Sequence, residues 1–577
     1  MARPDLLRVR GLAPAIEPAV SGPRRVEARD GRRGAAGDEA RSVPPDRIRD
    51  RGERRLPRPN RARDRSGGRQ GASHPAESDG GREGEATGPL VGAVRAGRCH
   101  VPRDVAQRGR RHRVLGLRRP PSCEGREGPR GAHPGRRPNV PRGRTSVPRP
   151  IPRPGGNGLK LPDRTALGNG AVLISNALPS NPFVAFRGSV PAGVAAEGDA
   201  HGVAEFASRL LLSGTRRLGA AKLADRLEGI GATLEFHNGE EVLGFSGRCT
   251  RDSLRETIRI LVDCLSHPTF PQREIDRVRG ELLNDLRIEA DDTASRAARE
   301  LARFVFPNDH PYGRDPKGGA DRVRRIRRRD LVDFHESRVG AEGLILAATG
   351  DVDRELVEEA IAGPLSRLQS DAGGIPAIPP PPPHKPRRAT IPMSHKSQAD
   401  IAIGGPAVPR GHPDYYALNL ASLLFGRIGL YGRLGRNLRD EQGLAYYAFT
   451  GLDARTAGGI WSISAGVNPA NLEKAVQSIR AELDRLQTDP FHTDELRDGK
   501  DNQIGSLIVS LERNAEVAYE LHRMEYYGLG MNFLERYADI VRELPEDRVR
   551  EVAMKYFTAN GSSMVVAGPV GRTRLSL

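Results

Sequence analysis

The stretch EFASRLLLSGT, residues 205–215, places Glu205, Ser208 and Arg209 on one face of a helical pattern. Positions three and four apart on a helix are surface neighbours, and two lone-pair donors one turn apart can grip a metal ion that activates water. The residue types speak against that chemistry here. A guanidinium is a permanent cation with no lone pair to give. A hydroxyl without a paired base does not deprotonate water near neutral pH. Glu205 and Arg209 are expected instead to form an i,i+4 ion pair. His201, four residues earlier, reads as a surface or capping residue beside a loop. Farther along, LRDEQGLAY carries Arg439 and Tyr446, a fork of N–H donors and a phenolic O–H. Taken alone, they read as an exposed helix salt bridge and a packed strand residue. The four cysteines, Cys99, Cys123, Cys249 and Cys264, show no metal-type spacing.

The chain has 577 residues and a formal net charge of +18. That charge suggests a nucleic-acid binder until it is mapped. Residues 1–150 hold 36 Arg against 17 Asp and Glu, a surplus of +19 that leaves −1 for the rest. The same region has no Lys, Phe, Tyr or Trp. With so few large apolar groups it cannot bury enough surface to offset its ordering entropy, and no Phe, Tyr or Trp is there for base stacking. Residues 1–160 are therefore expected to be a disordered Arg/Pro/Gly-rich segment, or the translation of a GC-rich frame out of register; nucleic-acid binding is not expected. No apolar run is long enough to span a membrane. A soluble chain follows, with the compartment open between cytoplasm and periplasm.

From residue 161 the sequence reads as globular, and it repeats itself. TFPQREIDRVRGELL around Phe270 matches DPFHTDELRDGKDNQI around Phe491. IRRRDLVDFHESRVGAEGLILAATGDV matches LPEDRVREVAMKYFTANGSSMVVAGPV, with Gly350 against Gly568. Phe270 and Glu274 lie 221 residues before Phe491 and Glu495, while the glycines are 218 apart. Two widely separated matches at nearly one offset indicate duplication. The expected fold is α+β, with two tandem homologous domains, each a mostly antiparallel sheet packed with helices. The boundaries are 161–370, a Pro-rich linker over 371–388 that is extended and semi-rigid, and 389–577. His310–Gly313 shapes a turn, and Trp461 packs in a strand. Lys396 and Gln398 are expected to open the first strand of the second domain and support its sheet edge.

This order of motifs resembles the pitrilysin/insulinase family of zinc peptidases, the inverzincins. The resemblance runs over about 161–570 and rests on GNGAVLI, NPFVAFRGSVPAG, LLLSGT, LEGIGATLEFHNGEE, HPYGRD, ILAATGDV, SHKSQADIAIGG, RLGRNLRDEQGLAYYAF and MVVAGPV. It implies half of a clamshell. In active members the helix before GT carries H-x-x-E-H, two zinc ligands and a general base. Anchored on Ser213-Gly214-Thr215, those positions fall on Glu205, Ser208 and Arg209, and the downstream ligand position falls on Asp285. None keeps its residue type, so no metal is expected in this chain and zinc is expected in a partner half. The resemblance also assigns Arg439 and Tyr446 to substrate binding, where they meet the scissile carbonyl and its neighbour. The implied function is a non-catalytic half that binds extended peptides and supports proteolysis by a zinc-bearing subunit or fused half. Two alternatives stand beside it: an active zinc endopeptidase with an atypical site drawn from His201, Glu205 and Asp285, and a purely structural subunit.

Overall fold

The alternating apolar segments become strands of two sheets built in the same order. A computed structural model of the chain describes residues 161–571 apart from 180, 308, 309, 370–373 and 490. The expected disorder or frame shift of residues 1–160 lies outside the described residues. The first half contains β1 (Asp163–Ala166), β2 (Val172–Ala177), β3 (Phe183–Val190), α1 (Val203–Leu210), α2 (Ala220–Gly229), β4 (Thr233–Asn238) and β5 (Leu243–Thr250). It continues through α3 (Leu254–Ser266), α4 (Gln272–Ala290), α5 (Thr293–Val305), α6 (Ala320–Arg325), α7 (Arg328–Arg338) and β6 (Ile345–Gly350) to the short α8 (Arg354–Val357) and α9 (Gly363–Leu365). The second half contains β7 (Arg388–Pro392), β8 (Ala399–Ala407), α10 (Tyr415–Gly426), α11 (Ile428–Gly435), β9 (Ala445–Ala454) and β10 (Gly459–Val467). After these come α12 (Leu472–Thr488), α13 (Thr493–Ser510), α14 (Asn514–Tyr526), α15 (Phe533–Arg542), α16 (Glu546–Tyr556) and β11 (Ser563–Gly568).

Strand order is β1-β2-β6-β3-β5-β4 in one sheet and β7-β11-β8-β10-β9 in the other. With β1 set aside, each strand has its counterpart, as the sequence repeat demands. β2 with β6 and β7 with β11 are parallel; the remaining pairs are antiparallel. β11 is buried along its whole length and β6 in all but its first residue, the pattern of strands covered on both faces. One face of each sheet packs on helices of its own half, α1 and α3 against the first and α10 and α12 against the second.

The other face is closed by a helix from the opposite half. Ala297 and Leu301 of α5 meet Ala402 of β8 and Val565 and Ala567 of β11. Reciprocally, Val517, Leu521 and Met524 of α14 meet Ile174 of β2 and Ala347 of β6. Polar pegs seat the start of each exchanged helix: the Thr293 hydroxyl donates to buried Asp400, and the Asn514 amide donates to the Phe183 carbonyl at 2.7 Å. The repeated glycine of the two matching segments finds its reason here. Gly350 has φ +128°, and a Cβ there would lie 2.0 Å from the Phe183 carbonyl oxygen and 2.8 Å from the Asn514 amide. Gly568 ends β11 with φ +154°.

Further ties cross between the halves. Glu241, in the β4–β5 turn, accepts from the Tyr312, Tyr526 and Thr456 hydroxyls and, at 3.1 Å, from the Thr456 N–H. His310–Gly313 is indeed a tight turn, with the His310 ring taking the Tyr312 N–H at 3.1 Å. Its ring also meets the Pro379 carbonyl at 3.0 Å, so the Pro-rich segment is fastened along the molecule. Trp461 is buried on β10. The expectation for Lys396 and Gln398 is corrected: β7 precedes them, they sit in the β7–β8 turn, and β8 is an internal strand. Lys396 instead pairs with Asp291 at 2.6 Å.

Leu301 and Leu521 are almost fully buried at the exchanged contacts. Leu301→Ala and Leu521→Ala should each cost roughly 2–5 kcal/mol. Urea unfolding should show one transition that either substitution shifts as a whole. Two separable transitions, only one of which moves, would contradict the exchange as the basis of cooperativity.

Candidate functional site

The start of α1 is set by a buried carboxylate. Gly202 adopts φ +92° at the helix N-cap, and Glu197 Oε1 accepts the N–H groups of Gly202 at 3.0 Å and Ala204 at 3.1 Å. Glu197 Oε2 is buried without a hydrogen-bond partner. Burial pushes this carboxyl up to about 8, against the opposing pull of the two N–H bonds and Arg314. Val203, Phe206, Ala207 and Leu210 bury the inner face of α1. Glu205 and Arg209 remain on the outer side.

Those two residues pair as expected, and a third joins them. Arg209 Nη2 lies 2.8 Å from Glu205 Oε1 and 2.8 Å from Asp285 Oδ2 on α4, while Nε donates to Glu205 Oε1 at 2.9 Å. Burial works against the charged guanidinium, but the two carboxylates outweigh it and hold Arg209 above its ordinary value. Ser208 turns back to donate to the Glu205 carbonyl at 2.8 Å and takes no part in the cluster. The four positions do not fit zinc. The space between the acidic groups is filled by a cation, and neither Arg209 nor Ser208 supplies an imidazole's lone pair. Among the described residues, no group of three or more His, Cys, Asp and Glu is placed to hold a metal ion. His201 sits before α1, where burial and then Arg314 and Arg322 lower its pKa. Neighbouring guanidiniums make that a poor place for a second cation.

Arg439 and Tyr446 occupy adjoining elements of the second half. Residues Arg436–Glu441 form a π-helical turn after α11, closed by Gln442 N–H to the Asn437 carbonyl at 3.0 Å. Gly443, φ +62°, then reverses the chain into β9. Ala445 pairs with Val467 and Tyr447 with Gly466, which leaves Tyr446 opposite no residue. It is the extra residue of a β-bulge, a device that re-aims a side chain. Tyr446 is 62% exposed on the outer strand of its sheet, so it does not pack in the strand interior. Its phenol and the free edge of β9 face the same solvent. The arrangement can donate hydrogen bonds to an extended backbone.

Two sequence profiles of one peptidase family cover most of the described chain. One, described as Insulinase (Peptidase family M16), matches residues 172–303, and one, described as Peptidase M16 inactive domain, matches residues 325–503. The chain belongs to the insulinase family, M16. It is similar to an uncharacterized zinc protease of Streptomyces coelicolor, 24% identical over 425 residues that cover 72% of this chain and 91% of that protein. It is also similar to the beta subunit of the mitochondrial-processing peptidase of Bos taurus, 24% identical over 385 residues, 64% of this chain and 76% of that one. The fold matches the crystal structure of a peptidase M16 inactive domain from Pseudomonas fluorescens, with a TM-score of 0.68 and 23% identity, covering 72% of this chain and 99% of that one. A protease from Helicobacter pylori matches with a TM-score of 0.64 and 20% identity, over 71% and 100%.

Sequence patterns did not single out Glu197, whose carboxylate takes the first N–H groups of α1, or Asp400 and Tyr447, which pair on the buried side of the bulge. For Tyr447 the signal is its place as the second tyrosine of GLAYY, and for Asp400 its place after SHKSQA; Glu197 lies in none of the motifs.

Arg209→Met leaves Glu205 and Asp285 facing each other without their cation and should lower stability by roughly 1–3 kcal/mol in urea unfolding. Glu197 carries a raised folded pKa, so the folded state binds its proton more tightly than the unfolded state. Its contribution is fully present below the ordinary carboxylate range and is lost as pH rises toward and through about 8. Glu197→Gln keeps the accepting oxygen. The variant should gain Tm relative to wild type between pH 5 and pH 8.5, and a constant difference across that window would contradict the assignment.

Proposed function

We propose that the chain is a non-catalytic half of an M16 peptidase, which binds extended peptides and supports zinc-dependent proteolysis by a zinc-bearing partner subunit or fused half. The observation that carries this reading is the seating of the Arg209 guanidinium between Glu205 and Asp285. A helix that holds an internal cation at this point has no place for the water-activating ion. In support, Tyr446 is presented outward on a sheet edge beside the turn that carries Arg439, a position suited to hydrogen-bonding a substrate carbonyl as charge develops on it. The bovine relative is named as a subunit, which suits a chain that works beside a partner. The peptide would lie as an added strand along a sheet edge.

Zinc content and peptide cleavage should be measured on the purified chain alone and after mixing with a zinc-bearing M16 half. The chain alone should carry no stoichiometric zinc and cleave nothing; zinc that a chelator removes together with activity would favour the atypical metallopeptidase instead. In the reconstituted pair, Arg439→Ala combined with Tyr446→Phe should lower kcat/KM roughly 10- to 100-fold, the worth of charge-assisted hydrogen bonds. Unchanged cleavage by that variant pair would leave a purely structural role.

A further inference from the structure

Beneath the outward tyrosine lies a buried polar assembly that the peptide-binding reading does not use. Asp400 of β8 is 2% exposed and accepts hydrogen bonds from three directions: the Tyr447 hydroxyl, the Thr293 hydroxyl at the start of α5, and the Gln398 amide at 3.0 and 3.1 Å. Burial pushes the Asp400 carboxyl up, and the three donors oppose it. The Tyr447 ring lies against Gly466. A Cβ at that glycine would come within 2.5 Å of Tyr447 Cε1 and 2.7 Å of the Gln398 amide nitrogen, so only glycine leaves room for the ring.

The bulge and this assembly are one device. Ala445 and Ala448 both enter the core on the α10 side, although residues three apart on a regular strand point to opposite faces. The extra residue at 446 restores the parity and turns Tyr447 to the far face, where Asp400 waits. We infer that Asp400, through Tyr447 and with Thr293 of the exchanged helix, is a positioning residue that holds Tyr446 outward on β9. The inference rests on the peptide-binding reading of Tyr446 for its functional meaning, but the positioning itself is a separate claim. The half that contributes α5 thereby sets the orientation of a side chain on the opposite half.

The test uses the full chain with a single 3-fluorotyrosine at position 446, read by fluorine NMR. Tyr447→Phe removes only the hydroxyl, and Thr293→Val removes a donor on the other half, remote in sequence. Both should move and broaden the 446 resonance in the same direction. Ile463→Val, which loosens the same sheet from its α10 face, should leave it in place. A 446 resonance unmoved by both Tyr447→Phe and Thr293→Val overturns the inference, as does an equal response to Ile463→Val. Affinity for a fluorescein-labelled extended peptide is measured on the same variants. Tyr447→Phe should weaken it roughly five-fold, the worth of one ordinary hydrogen bond, and should add nothing in a Tyr446→Phe background. If Tyr446→Phe leaves affinity unchanged, the peptide-binding reading fails while the resonance still decides the positioning.

Discussion

Each sheet lends one helix to the other, and most of what holds this chain together depends on that loan. An antiparallel sheet can leave one face to water, but neither sheet here does so near its centre. α5 covers β8 and β11, and α14 covers β2 and β6. Ala347 of β6 and Val565 and Ala567 of β11 are buried because a segment far away in sequence arrives to cover them. Such contacts reward the chain only after a long loop has closed, so they assemble late and bind the halves into one cooperative unit. The pegs at Thr293 and Asn514, and the Glu241 carboxylate with its hydroxyl donors, secure the same joint with directional bonds. Buried polar groups of this kind fix one arrangement when all partners are present.

Arg410 shows how α14 is tied at its far end to the half it comes from. Its guanidinium lies 3.9 Å from the centroid of the Tyr415 ring and 5.0 Å from that of Tyr416 on α10. It is 5.8 Å from Tyr527, just past α14, and 6.0 Å from Phe533 on α15. A cation among ring faces is stabilised without a formal counter-charge. The lent helix is therefore gripped at its start by an amide and near its end by a caged arginine.

Much of this could be read from the residues themselves. The matched spacings of Phe270 with Phe491 and Gly350 with Gly568 gave away the duplication, because a repeat needs no knowledge of packing. The Glu205–Arg209 pair followed from helix geometry alone, while Asp285 entered only through the family resemblance. The exchange was not legible: an apolar stripe on α5 says that something covers it, not which sheet. The bulge at Tyr446 was hidden for a related reason, since a bulge is a property of two strands and shows only in their register. Lys396 and Gln398 were misplaced because the five-residue β7 follows directly on a proline-rich run and carries too little pattern to announce itself.

The cation at Arg209 changes the kind of perturbation to which this joint responds. α1 and α4 are linked there by a guanidinium between two partly exposed carboxylates, with side-chain exposures of 25%, 15% and 28%. A joint closed by zinc would loosen under a chelator. This one is indifferent to chelators, since its cation is covalently part of the chain. It is weakened instead by ionic strength, because mobile ions screen partly exposed pairs. The hold between α1 and α4 therefore answers to salt rather than to metal supply.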